Sequence, residues 1–223
     1  LACKARHGVG RVGVQGYGSH LRSFLRFAEQ CHWSPQGVAA GIELGRIYQT
    51  ESLPIGPPWE AVVRMLEQKR GTRASQIRDR AILLLFALYG LRSSEVRRLR
   101  IEDIDWEHAL IHVHRSKQSP RVQTYPLAGV VRDALTDYLQ HVRPKTEHSE
   151  IFLQLRMPYR PLRSSAFWQV VSKRLRPMQL RLKHHGPHAL RHACATYLLS
   201  RGFSMKVIGD FLGHRYLGST STY

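Results

Sequence analysis

The chain has 223 residues, 43% of them hydrophobic, enough for one sizeable domain plus a small one with a real core. Lys and Arg number 34 against 16 Asp and Glu, and this formal charge of +18 is spread along the chain; a long polyanion, nucleic acid first, is the partner it suits, and a basic ribosomal or membrane-surface protein is the plainer reading. Cys3, Cys31 and Cys194 are odd in number and lack paired spacing, which argues against a disulfide framework and for a reducing, cytoplasmic setting.

In chain order, residues 1–20 are basic and Gly-rich, without the apolar stretch of a signal peptide, and the chain begins with Leu rather than Met, as a trimmed sequence would. Leu21, Phe24, Leu25 and Ala28 keep the spacing of one helical face, predicting a helix over residues 19–31, and residues 38–47 are a second helical candidate. The stretch Leu53-Pro-Ile-Gly-Pro-Pro58 breaks all periodicity and marks a linker. Helices are predicted over residues 59–69 and 78–89, the second buried and ended by Gly90; its apolar run falls well short of the roughly 20 residues of a membrane span.

Ser93 and Ser94 are placed to cap a helix running to Leu99, which leaves Arg92 in the turn between two helices. Alternation over residues 110–114 and 121–125 predicts two strands, with Lys117 at the tip of the hairpin between them. Helical spacing returns over residues 130–141 and 165–175, then over 188–201, closed by Gly202, and 204–212, closed by Gly213. The expected fold is mainly α with a small antiparallel β-sheet (α+β), divided into residues 1–52 and 53–223.

The densest motif is His188-Ala-Leu-Arg-His192. On a helix His188, Arg191 and His192 share a face, while Leu190, Ala195 and Leu198 can turn to the core. The plain reading is a solvated basic face with a core histidine. Zinc on His184, His188 and His192 is another, although Ala189 stands where zinc hydrolases of the HExxH kind need a glutamate. A second motif is Leu212-Gly-His214 followed by Ser219-Thr-Ser-Thr-Tyr223, with Tyr216 competing for the tyrosine's role and a frayed end as the plain alternative. A third is Gly90-Leu-Arg-Ser-Ser-Glu-Val96.

Taken in order, Gly-Leu-Arg-x-x-Glu, a hairpin lysine, His-x-Leu-Arg-His, Leu-Gly-His and a tyrosine nine residues beyond that histidine resemble the tyrosine recombinase (phage integrase) family over residues 53–223. The resemblance implies a catalytic domain over that span, preceded in residues 1–52 by part of a helical core-binding domain. It also implies double-stranded DNA as partner, a tetramer of identical chains on paired DNA sites, and more chain beyond both ends.

What it implies for chemistry is strand cleavage by a tyrosine, giving a 3′-phosphotyrosyl bond and a free 5′-hydroxyl, with no metal, ATP or other cofactor. Arg92 and Arg191 would hold the nonbridging oxygens, since guanidinium forks pair with phosphate and stabilise the charge that develops on it. Lys117 would protonate the leaving 5′-oxygen, His188 would assist proton removal from Tyr223, and His214 would donate a hydrogen bond to the phosphate. Glu95 would orient an arginine, and Arg115 and Arg121, flanking the hairpin turn, compete with Lys117 for phosphate contact. From other classes, a noncatalytic DNA-binding remnant and a histidine-based metal hydrolase remain as alternatives.

Overall fold

The apolar run that ends at Gly90 becomes the centre of the fold. The computed structural model of the chain describes residues 11–43, 56–68, 71–116 and 119–213. The chain divides into two compact units, Leu1–Leu53 and Pro54–Tyr223.

In the first unit, helix α1 spans Arg11–Gln30. It starts eight residues before the predicted Ser19. Three glycines, Gly13, Gly16 and Gly18, disfavour a helix there by about 1 kcal/mol each, yet Val14 and Tyr17 extend the stripe of Leu21, Phe24 and Ala28. Ala39 N–H donates to Glu29 Oε1 (2.7 Å), folding the following segment back on the helix. That segment is the corrected one: over its described part, residues 38–43, the chain is turn and not helix, led in by Gly37 at φ 92°.

The second unit is built around helix α3. Helix α2, Trp59–Glu67, leads to α3, Ala74–Tyr89, of which Ala81 to Ala87 and Tyr89 are buried. A helix apolar on every side must be covered on every side. Helix α2 covers one, and helices α5 (Gly129–His141), α6 (Ser164–Leu175) and α7 (Pro187–Ser200) cover the rest. Phe86, Phe167, Phe152 and Tyr138 form a chain of ring contacts through this core, 5.5–6.4 Å between centroids. Small residues on α7 let the linker in: a Cβ on Gly56 would stand 2.6 Å from Ala193 N and 3.0 Å from Ala189 O.

Helix α4, Ser93–Arg98, leaves α3 through Gly90 and Arg92. After it come strands β1 (Ile104–Asp105), β2 (Leu110–Ser116) and β3 (Ser119–Pro126), an antiparallel sheet in the order β1-β2-β3. Ile111 pairs with Tyr125 and Val113 with Gln123, so these residues share the inner face, while His112 pairs with Thr124 on the outer one. Tyr89 OH joins α3 to the end of β3, donating to Pro126 O (2.8 Å) and accepting from Ala128 N–H (2.9 Å). The last described helix is α8, Met205–Leu212, capped at its start by Ser204 Oγ, which accepts from Val207 N–H (3.4 Å).

Gly90 is required twice. Its φ of 57° is left-handed, and a Cβ there would stand 2.5 Å from Leu212 Cδ2. The glycine lets the end of α3 meet the end of α8. Gly90→Ala is expected to lower the free energy of unfolding by about 1–3 kcal/mol, read as a lower urea midpoint at unchanged slope.

Candidate active site

The site forms where α8 ends. The last four carbonyls of an α-helix have no partner within it, and they carry the negative end of its dipole. Here the carbonyls of Phe211, Leu212 and Gly213 each accept from a different arginine. Arg115 Nη2 donates to Phe211 O (3.0 Å), Arg191 Nη2 to Leu212 O (2.7 Å) and Arg92 Nη2 to Gly213 O (3.2 Å). Arg191 Nη1 donates to Gly90 O (2.5 Å), so this one guanidinium clasps the ends of α3 and α8 together.

A buried carboxylate holds two of the three arginines. Glu95 has no exposed side-chain surface; its Oε1 accepts from Arg92 Nη1 (2.9 Å), and its Oε2 from Arg92 N–H (2.7 Å) and Arg115 Nη1 (2.9 Å). Glu95 therefore caps α4 by reaching back to Arg92. This corrects the expected capping by Ser93 and Ser94, which are the first two residues of α4, with Arg92 at the N-cap. Both charge partners being guanidiniums, the buried carboxylate is paired as such groups must be.

The six sequence candidates divide evenly. Arg92 and Arg191 come together at this place, and both their charges act on His188. Lys117, His214 and Tyr223 lie outside the described residues, as does Tyr216. Arg191 is close enough for its charge to act on both histidines, as its helical spacing suggested, but it is buried and not on a solvated face: only 3% exposed, beside the buried Leu190, Cys194 and Ala195. Arg115 likewise turns inward to Glu95, with 9% of its side chain exposed, and not out toward a phosphate.

Gln123 and Tyr125 are the residues that sequence reasoning missed, and with them the inward role of Arg115. Arg115 Nε donates to Gln123 Oε1 (2.8 Å), its Nη2 to Tyr125 OH, and Tyr125 OH to Phe211 O. Desolvation by burial pushes the Tyr125 phenol up to about 12, against the opposing pull of Arg115, so it stays a neutral donor. The signal was present in the alternation: Ile111, Val113 and Arg115 fall on one face of β2, and that face is the buried one.

Desolvation, and then the charges of Arg191, Arg92 and His184, lower the pKa of His188. The neutral imidazole is thus favoured, the form that can accept a proton. His192, one turn on, is pulled down to about 4 by desolvation and by His188, Arg191 and His184. Among the described residues no three His, Cys, Asp or Glu side chains meet in a way that could hold a metal ion. Nor is any described helix long and apolar enough to cross a membrane.

A mainly helical domain with a small three-stranded antiparallel sheet is the fold of the solved tyrosine recombinase structures that the chain resembles. The sequence profile of the phage integrase family matches residues 60–223, and the chain belongs to that family. A Sinorhizobium fredii protein bearing an integrase/recombinase name is 42% identical over 163 residues, covering 71% of this chain and 82% of that protein. Tyrosine recombinase XerC of Chlamydia trachomatis is 30% identical, covering 92% of this chain and 64% of its own length. The crystal structure of XerH recombinase bound to difH substrate, in a pre-cleavage complex, shares the fold with a TM-score of 0.75 at 19% identity, over 97% of this chain and 63% of that one. The chain spans only 48% and 49% of the length of two other S. fredii relatives.

The His192 shift carries a sign. Its folded pKa of about 4 lies below the ordinary 6.5, so between those values the unfolded chain binds a proton that the folded chain does not. Stability should therefore fall as the pH falls through that window. Urea midpoints at pH 7 and pH 5 should differ less in His192→Gln than in the unaltered protein.

Proposed function

We propose that this chain cleaves and rejoins duplex DNA at specific sites, with Tyr223 as the nucleophile. The observation that carries the reading is that Arg92 and Arg191 meet at the end of α8, with both their charges acting on His188, in a chain of this family. The phenol oxygen of Tyr223 attacks a phosphodiester, a 3′-phosphotyrosyl bond forms, and the 5′-oxygen leaves with a proton. Attack by the 5′-hydroxyl of a second DNA end reverses the step, so no net hydrolysis and no energy source is needed.

Each residue has a role that its chemistry fits. Arg92 and Arg191 bind the nonbridging oxygens and stabilise the extra charge of the pentacoordinate state. Their carbonyl partners on α8 hold them in place before DNA arrives, which lowers the reorganisation that the reaction requires. His188, kept neutral by its surroundings, takes the proton from Tyr223, whose ordinary pKa near ~10 leaves it protonated without help. Lys117 supplies the proton to the leaving 5′-oxygen, and His214 donates to the phosphate. Residues 1–52 add a helical DNA-clamping surface to the catalytic unit of residues 53–223. Four identical chains act together on paired sites, and the fold likeness to the XerH complex with its difH substrate supports this picture.

The test is a nicked duplex from which the product fragment diffuses away, incubated with protein and a chelator. A covalent protein–DNA band should form and should vanish in Tyr223→Phe; a band that persists in that variant removes Tyr223 as nucleophile. Duplex binding with no band in the unaltered protein would instead support a noncatalytic DNA-binding remnant. Arg191→Ala should abolish the band, and it should also lower stability by about 1–3 kcal/mol for a buried carbonyl left without its donor. Arg191→Lys, which keeps the charge but not the fork, should fold better and still fail to cleave.

A further inference from the structure

We infer that Arg115 is a positioning residue for the cleavage step, acting on the phosphate through Glu95 and Arg92. The inference rests on the reading of Arg92 as a phosphate ligand. Arg115 touches no substrate in this scheme. Its guanidinium is held from three sides, by Gln123 and Tyr125 on β3 and by Phe211 O at the end of α8. The remaining contact goes to Glu95 Oε2 at 2.9 Å, and the same oxygen takes the backbone N–H of Arg92 at 2.7 Å. The other oxygen of Glu95 takes the Arg92 guanidinium at 2.9 Å. The path from the sheet to the phosphate-facing arginine is thus two ion pairs sharing one carboxylate.

Two physical effects follow from removing the fork. Glu95 is fully buried, and its charge now divides between two guanidiniums. Without Arg115 that charge falls on Arg92 alone, which lowers the positive potential that Arg92 presents to an incoming anion. Glu95 also loses the partner that fixes it against the sheet, so the rotamer of Arg92 loses its anchor. Arg92 is the partner that can respond, because 35% of its side chain is exposed against 9% for Arg115. Lysine at position 115 keeps the charge but cannot engage Glu95, Gln123 and Phe211 together from one planar group.

A purely structural staple would loosen the whole site, whereas a residue acting through Arg92 affects the step in which phosphate charge is stabilised. The two separate when a nonbridging oxygen at the cleaved linkage is replaced by methyl. That methylphosphonate carries no charge and asks less of Arg92. The experiment compares single-turnover formation of the covalent complex on phosphate and methylphosphonate nicked duplexes, with duplex affinity and melting temperature measured alongside. Arg115→Lys is expected to bind duplex within about 3-fold of the unaltered protein and to cleave the phosphate linkage ~100-fold more slowly, with the deficit shrinking to under ~10-fold on methylphosphonate. Added to Arg92→Lys it should cost little more, because the two act in series.

Unchanged cleavage of the phosphate linkage by Arg115→Lys overturns the inference. So does an equal loss on both linkages, which marks a structural staple. If Arg115→Lys does not fold, Gln123→Leu and Tyr125→Phe each remove one hold on Arg115 without changing charge. They should give smaller losses with the same preference for methylphosphonate, and equal losses on both linkages overturn the inference. Absence of any Tyr223-dependent product from the unaltered protein on either linkage would overturn the proposed function itself, and that lane is read separately.

Discussion

Three successive carbonyls at the end of α8, those of Phe211, Leu212 and Gly213, accept hydrogen bonds from Arg115, Arg191 and Arg92. The arrangement of the second unit's site depends on this contact. Each arginine comes from a different element, β2, α7 and the turn before α4, so the helix end joins three segments far apart in sequence. The energetic reason is local. A helix C-terminus offers unsatisfied acceptors at the negative end of a dipole, and guanidiniums are the side chains best able to satisfy several of them from one buried group.

Such a concentration of positive charge would repel itself without Glu95. Three guanidiniums against one carboxylate leave a net of two positive charges at this place. The desolvation of His188 and His192 belongs to the same balance, since neighbouring positive charge and burial both favour the neutral imidazole. The arginine cluster and the two imidazoles thus share one electrostatic environment.

The elements were largely legible. The buried helix ended by Gly90, the two paired strands and the helices closed by Gly202 and Gly213 were announced by apolar period and by glycine caps, which are local properties. Local rules also misled. The glycines of residues 13–18 hid the first turns of α1, which are helical despite their low propensity. Ser93 and Ser94 looked like caps, and the cap came from Glu95, whose carboxylate was already being held in place by Arg115. Arg191 looked like a surface residue because helical spacing groups side chains without saying which side is covered.

By itself the sequence determined the class of fold, the order of elements and the residue types able to handle a phosphate, since periodicity, caps and chemical type are written residue by residue. It also carried the family, through motifs whose order survives when each alone means little. Only the tertiary structure decided which arginines turn inward, which carbonyls receive them, and that one buried carboxylate serves two of them. Those are choices among equivalent charges, and they are made by burial: an arginine is committed only when packing removes water from it and leaves a carbonyl or a carboxylate as its partner.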